Sequence, residues 1–346
     1  MSSDLGQRLA VTLDARAGAD VDPAPIVAQA LLRGRRLRRR RRGIVTSCVA
    51  AACAVVAAVF MVIPLGRTAG QAALLLPASP NQPGAAERPD LVGTDPAVVH
   101  FTADNLVSGA QYATWTTGRG IESVEFQGGT GPARFVLAGS AATLDGVRQT
   151  LSSSGQPQPP ADVRVGERPG TAWVDPAPPD RSGLWFVRWQ PVDGLWARLE
   201  IYADDRDEAV GAAGRVRFNG AHRCAVPFRL QTLPAGARLL ECSVQLSLDR
   251  PDAFAEGSLV VGDSSGRWLT VRAQRPAMAV GAEAGDLTAG PYRVRRQGSD
   301  VLEMWVKPCQ VELFLDGWGH GYTEPDGLTV LGGYRPAATI ADPNTW

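Results

Sequence analysis

Leu184 to Gln190 reads LWFVRWQ, Pro191-Val192-Asp193-Gly194 follows, and Leu195 to Tyr202 reads LWARLEIY. Asp-Gly between two runs rich in aromatic and aliphatic residues signals a hairpin, because both residues tolerate the backbone angles of a tight turn. On the return strand Leu195, Ala197, Leu199 and Ile201 share one face, and Trp196, Arg198, Glu200 and Tyr202 share the other, so the first set is expected in a core. Trp185, Val187 and Trp189 share a face of the first strand and are expected to be buried as well. A helix is predicted from about Asp205 to Val216, with Asp204 or Asp205 as cap and Asp207 and Glu208 near its positive end.

The same order of strand, turn, strand and capped helix recurs. Val301 to Lys307, Pro308-Cys309-Gln310 and Val311 to Leu315 lead to a helix after Thr323, where Thr-Glu-Pro-Asp is a good helix start. A weaker copy runs through Ile121 to Phe126, Ala133 to Ala138 and a helix near Thr143 to Leu151. The pattern predicts three repeats. Further strands are predicted at Val226 to Leu230, Arg238 to Leu246, Ser258 to Val261 and Trp268 to Arg272. Antiparallel sheets built from hairpin-plus-capped-helix units, with helices on one face, give an α+β class.

Charge is uneven along the 346 residues, although 35 Lys+Arg balance 35 Asp+Glu. Residues 1–43 hold ten Arg and four Asp, a net of +6, which leaves 25 basic against 31 acidic residues, a net of −6, for the remainder. From Ile44 to Ile63 the chain reads IVTSCVAAACAVVAAVFMVI. About 20 uncharged residues at about 1.5 Å each match the roughly 30 Å apolar core of a bilayer, so this run is predicted to span a membrane. Arg38, Arg39, Arg40, Arg41 and Arg42 stand just before it and only Arg67 stands close behind, which places the N-terminus in the cytoplasm. A cleaved signal peptide is the competing reading, with Ala69, Gly70, Ala72 and Ala73 as small residues after the run. Its apolar region is usually only about 7 to 15 residues long.

Four regions follow: a cytoplasmic basic and helical segment 1–43, a transmembrane helix 44–65, a Pro/Ala/Gly-rich linker 66–95 and an extracytoplasmic α+β domain 96–346 with room for two subdomains. Leu5, Leu9 and Leu13 make a narrow apolar stripe behind the cap Asp4, and a stripe without a core of its own needs a partner. The arginines could neutralise phosphates, but they lack interleaved aromatics and abut a span. They are assigned to topology and anionic lipid, and no nucleic acid is expected.

No catalytic, cofactor-binding or metal-binding residue is expected. Gly262-Asp263-Ser264-Ser265-Gly266 matches G-x-S-x-G, yet Arg267 to Arg272 alternates as a strand, whereas a nucleophile elbow needs a helix there. A serine nucleophile also needs a histidine, and the candidates are His100, His222 and His320. The histidines are scattered, Cys-x-x-Cys is absent, and there is no phosphate loop or dinucleotide fingerprint. Asp204-Asp205 and Asp207-Glu208 are read as helix capping rather than as acid and base. Beyond the span lie Cys224, Cys242 and Cys309. A Cys224–Cys242 disulfide is the favoured pairing and Cys242–Cys309 the alternative. A tight hairpin through Leu233 to Gly236 would leave the favoured pair about three residues out of register. Among nine tryptophans, Trp185, Trp189, Trp268, Trp305 and Trp318 are read as core, and Trp196 beside Arg198 and Glu200 as the best exposed candidate for a sugar or peptide groove.

The Leu-striped N-terminus, arginine cluster, single Ala/Val-rich span, Pro-rich spacer and exported α+β domain together resemble bacterial single-pass membrane proteins that accompany extracytoplasmic-function sigma factors. LWARLEIYADDRDEAVGAAGRVRF and TEPDGLTVLGG are similar to strand-then-helix units in the exported domains of such anti-sigma-factor-like proteins. The resemblance implies a cytoplasmic helical segment that masks a sigma factor, or another cytoplasmic protein, until an envelope ligand acts outside. Residues 1–43 lack the His and Cys of the zinc-binding version.

Overall fold

Period-two alternation shapes the longer strands of the chain. The computed structural model describes residues 76–79, 81–103, 106–129, 131–149, 151, 158–175, 182–248, 254–275, 285–315 and 321–346. Leu5, Leu9, Leu13, Arg38 to Arg42 and the run 44–63 lie outside the described residues. Among the described residues no helix is long and apolar enough to cross a membrane.

β1 (Val98–Val99) belongs to an entering strap. β2 (Ala110–Gly118), β3 (Ile121–Gly128) and β4 (Ala133–Ala138) form a meander that ends in α1 (Ala141–Gly146). β5 (Ala161–Val165), β6 (Arg168–Asp175), β7 (Gly183–Trp189) and β8 (Trp196–Ala203) form a second meander, closed by α2 (Arg206–Ala213). Two short strands follow, β9 (His222–Arg223) and β10 (Phe228–Leu230). β11 (Arg238–Ser247), β12 (Phe254–Gly262) and β13 (Trp268–Gln274) make a third meander. β14 (Leu287–Ala289), β15 (Tyr292–Gln297), β16 (Val301–Val306) and β17 (Cys309–Leu315) make the fourth, closed by α3 (Glu324–Gly332) and β18 (Tyr334–Pro336).

The four meanders join in one antiparallel fourteen-stranded sheet of order β14-β15-β16-β17-β13-β12-β11-β2-β3-β4-β8-β7-β6-β5. This order contains the same topology twice. Each half is a three-strand meander, a jump to the far edge, a four-strand meander running back, and a helix. The halves meet at β2 and β11, which pair antiparallel with Trp115 opposite Val244. The threefold pattern expected from sequence is therefore corrected to a twofold one. The units β7–β8–α2 and β16–β17–α3 hold equivalent places, whereas β3–β4–α1 shares their local order but not their position in the sheet. Local turn and cap signals cannot distinguish the two cases, because position is set by pairing between distant strands.

Caps form as the residue types dictate. Ser140 Oγ accepts the Thr143 N–H at 3.0 Å on α1, and Asp205 Oδ1 accepts the Glu208 N–H at 2.9 Å on α2. On α3, Asp326 Oδ2 accepts the Thr323 N–H at 2.9 Å. α2 and α3 bury Ala209, Ala212, Ala213, Val330 and Leu331 in one core that runs through both halves. Phe101 from the strap enters that core with its ring 5.5 Å from Trp115 and 4.7 Å from Phe135. α1 lies on the other face, where Leu144 meets Val136, Ala138 and Trp196.

Residues 76–79 and 81–95 of the Pro-rich stretch are mostly irregular yet packed. Leu76, Ala85 and Val92 are buried, and Ala85 N–H donates to the His100 carbonyl.

Candidate functional site

β10 leaves the main sheet and pairs with β18, placing Phe228 opposite Pro336, Arg229 opposite Arg335 and Leu230 opposite Tyr334. β10 does not pair with β11, so no tight hairpin forms through Leu233 to Gly236 and the register objection to the cysteine pair does not arise. The Cys224 N–H instead donates to the Ala97 carbonyl, and Cys224 and Cys242 are bonded with their Cα atoms 6.1 Å apart. Cys309 is free and buried, and burial pushes its thiol pKa up.

Beside this bridge opens an apolar groove of about 300 Å³, walled chiefly by Val226, Phe228, Leu230, Leu233, Leu259 and Trp346. Leu233 is 37% exposed, the one exposed large hydrophobic side chain among the described residues. Trp346 is held in place by its indole N–H, which donates to the Thr339 carbonyl at 3.1 Å, and by an edge-on contact with Phe254 at 5.5 Å. Tyr334, stacked on Phe228, is buried, and its phenol pKa is raised by desolvation.

One arginine, Arg229, lines the groove. It is exposed and has no ion-pair partner among the described residues. Arg335, opposite Arg229, donates to the Gly332 and Tyr334 carbonyls. Asp342 accepts the Asn344 N–H, and the Ser265 hydroxyl with Arg267 holds the Asp263 carboxyl well below its usual range.

The sequence candidates for chemistry fall apart from one another. Ser264 is exposed in the turn between β12 and β13, a strand-to-strand setting. His100 is buried against Glu122, its Nδ1 lying 2.6 Å from Oε1. His222 Nε2 is 2.8 Å from Thr102 Oγ1. His320 and Trp318 lie outside the described residues. No group of acids, cysteines and histidines suited to a metal occurs among the described residues.

Trp196 is not the exposed ring expected. It is half-buried against the α1 cluster, with the Arg188 guanidinium 4.9 Å above it. The same cover explains why Arg198 and Glu200, on the face expected to be wet, are buried. Arg198 donates to Glu200 at 2.9 Å and to the Val147 carbonyl at 3.0 Å, satisfying the end of α1. Leu233, Trp346 and the Arg229–Arg335 pair were not signalled as a site. The only trace is Arg229 between Phe228 and Leu230, where alternation turns it outward.

No known protein family matches the chain, and no curated protein matches it. Solved structures do, among them the following two. The crystal structure of MucB in complex with MucA(peri) aligns at 15% identity over 68% of this chain and 97% of that one, with a TM-score of 0.23. The complex structure of Pseudomonas aeruginosa MucA/MucB aligns at 14% identity over 68% and 96%, with a TM-score of 0.22.

Proposed function

We propose that this chain is a non-catalytic binding module of the bacterial cell envelope, anchored by residues 44–63 with the sheet domain outside. One observation carries the binding role: a concave apolar groove walled by Val226, Phe228, Leu230, Leu259 and Trp346 opens beside the exposed Arg229. Concave, mostly apolar sites with a placed polar group are the usual form of a binding site. The Cys224–Cys242 bridge supports the location, since disulfides persist outside the reducing cytosol. The engagement of His100 with Glu122 supports a structural use of that histidine.

The regulatory part of the proposal gives Leu5, Leu9 and Leu13 a cytoplasmic partner, a sigma factor by preference. Its support is the layout of stripe, arginine cluster and apolar run. Signalling requires that the outer event bias two states of the inner segment.

A photo-cross-linking residue replacing Leu233 in the full-length protein tests the outer role. An envelope protein captured at that position, and not from an exposed control position such as Ser264, is the expected result. Absence of any capture at position 233 overturns it. Co-purification of a sigma factor, lost on Leu9→Asp, tests the inner role. Without such a partner, the chain is a passive envelope-binding domain.

A further inference from the structure

Ser258 and Leu259 are neighbours on β12 and point to opposite faces of the sheet. Leu259 lines the apolar groove, whereas Ser258 lines a polar pocket of about 60 Å³ with Thr114, Ser243, Gln245, Glu256 and Gly257. We infer that this pocket takes a primary ammonium group at the end of an alkyl arm, held by the Glu256 carboxylate. The pocket is on a different face from the groove, and its chemistry does not depend on what the groove binds.

Its wall supplies acceptors and a single charge. Glu256 is half-buried and has no hydrogen-bond or ion-pair partner among the described residues. The side chains opposite it on both sides spend donors elsewhere. On β11, Gln245 Nε2 donates to Thr114 Oγ1 at 3.2 Å, and on β13, Gln274 Nε2 donates to Gln310 Oε1 at 3.3 Å. Arg272, opposite Ser258, is bound to Glu312 at 3.0 Å. A register shift between Gln245 and Leu246 passes over Ala255 and opens the β11–β12 ladder beside Glu256.

The oxygens of Ser243, Ser258 and the Gln245 amide are further acceptors, and the lining contains no basic, aliphatic or aromatic residue. An ammonium has three donors, no acceptor and the bulk of about one water, so it suits a pocket with room for roughly two. Calcium takes about 6–8 oxygens, several of them from carboxylates, and one carboxylate is too few. The chain beyond residue 43 carries 25 basic against 31 acidic residues, a net of −6, which draws cations toward the domain.

The test is equilibrium dialysis of labelled butylammonium against the full-length protein in uncharged detergent. Trimethylbutylammonium, which keeps the charge and lacks N–H donors, is the control ligand. Wild type is expected to bind butylammonium, and Glu256→Gln to weaken it about tenfold through loss of a charge-assisted contact. Ser258→Leu, which fills the pocket, should abolish binding. Glu167→Gln, the same charge change at an exposed turn, should leave it unaltered. Because Glu256 makes no contact of its own among the described residues, Glu256→Gln should melt with the wild type. A blocked Gly-Lys-Gly peptide identifies the source. Tighter binding than butylammonium supports the inference with a protein side chain as the donor, and weaker binding supports it with a free amine.

Absence of butylammonium binding overturns the inference. So does equal affinity of wild type and Glu256→Gln, equal binding of trimethylbutylammonium, or displacement of the amine by equimolar sodium or calcium. None of these results touches the cross-linking outcome at position 233, so the two readings fail separately.

Discussion

His100 Nδ1 lies 2.6 Å from Oε1 of Glu122, and both side chains are buried. Glu122 also accepts the Gly93 N–H at 2.9 Å and the His100 N–H at 2.6 Å. One carboxylate on β3 therefore fastens both ends of strap residues 93–100. Glu122→Ala strips these buried donors of their acceptor, each worth about 1–3 kcal/mol when left unsatisfied. A loss of about 3 kcal/mol is expected in denaturant unfolding. Amide exchange should accelerate first at Gly93 and His100, and uniform acceleration across the sheet instead would contradict the fastening role.

The Cys224–Cys242 bridge closes a loop of sequence separation 18. On chain entropy such a loop contributes about 3 kcal/mol. Replacing both cysteines by alanine should lower stability by that order and loosen the groove, read as faster exchange at Val226 and Phe228. In the native protein Cys309, buried with a raised thiol pKa, should resist alkylation until the chain unfolds.

Gly118 ends β2 with φ of +135°, and a Cβ there would stand 2.2 Å from the Leu240 carbonyl oxygen. The junction of the two halves rests on that close approach. Gly118→Ala should cost about 2–3 kcal/mol, measured by chemical denaturation. Gly166→Ala at an open turn is the control, where only the backbone angle is strained.

Burial raises the pKa of Glu241, and Arg119 at 3.4 Å opposes the rise. The folded chain then holds a proton that the unfolded chain has released, so stability falls as pH rises through the window just above the usual glutamate value. Glu241→Gln should melt higher than wild type at neutral pH, and the gap should close below that window. A gap that widens on acidification would mean that the Arg119 contact dominates.

Much of this fold is legible in the residues themselves. The units β7–β8–α2 and β16–β17–α3 announce themselves through alternation, turn residues and capping acids. β2, β5, β6, β14 and β15 do not. β2 (AQYATWTTG) is rich in Ala and Thr and has little apolar contrast, β6 contains Pro169 and Gly170, and β14 is three residues long. The central pair β2–β11 joins Thr116 to Ser243, and β10 finds β18 about a hundred residues away. Such pairings leave no local trace. The groove is walled by residues of β10, β11 and β12 together with Trp346, which are far apart in sequence, so no local pattern marks it.

The edge-to-edge union of β2 with β11 bears on solubility. A polypeptide carrying just one seven-strand block would leave that edge bare, with a free row of amides and carbonyls inviting another copy to zip against it. In the tandem arrangement each block covers the other's edge, and the passage from α2 through β9 and β10, which belongs to neither block, supplies one wall of the groove.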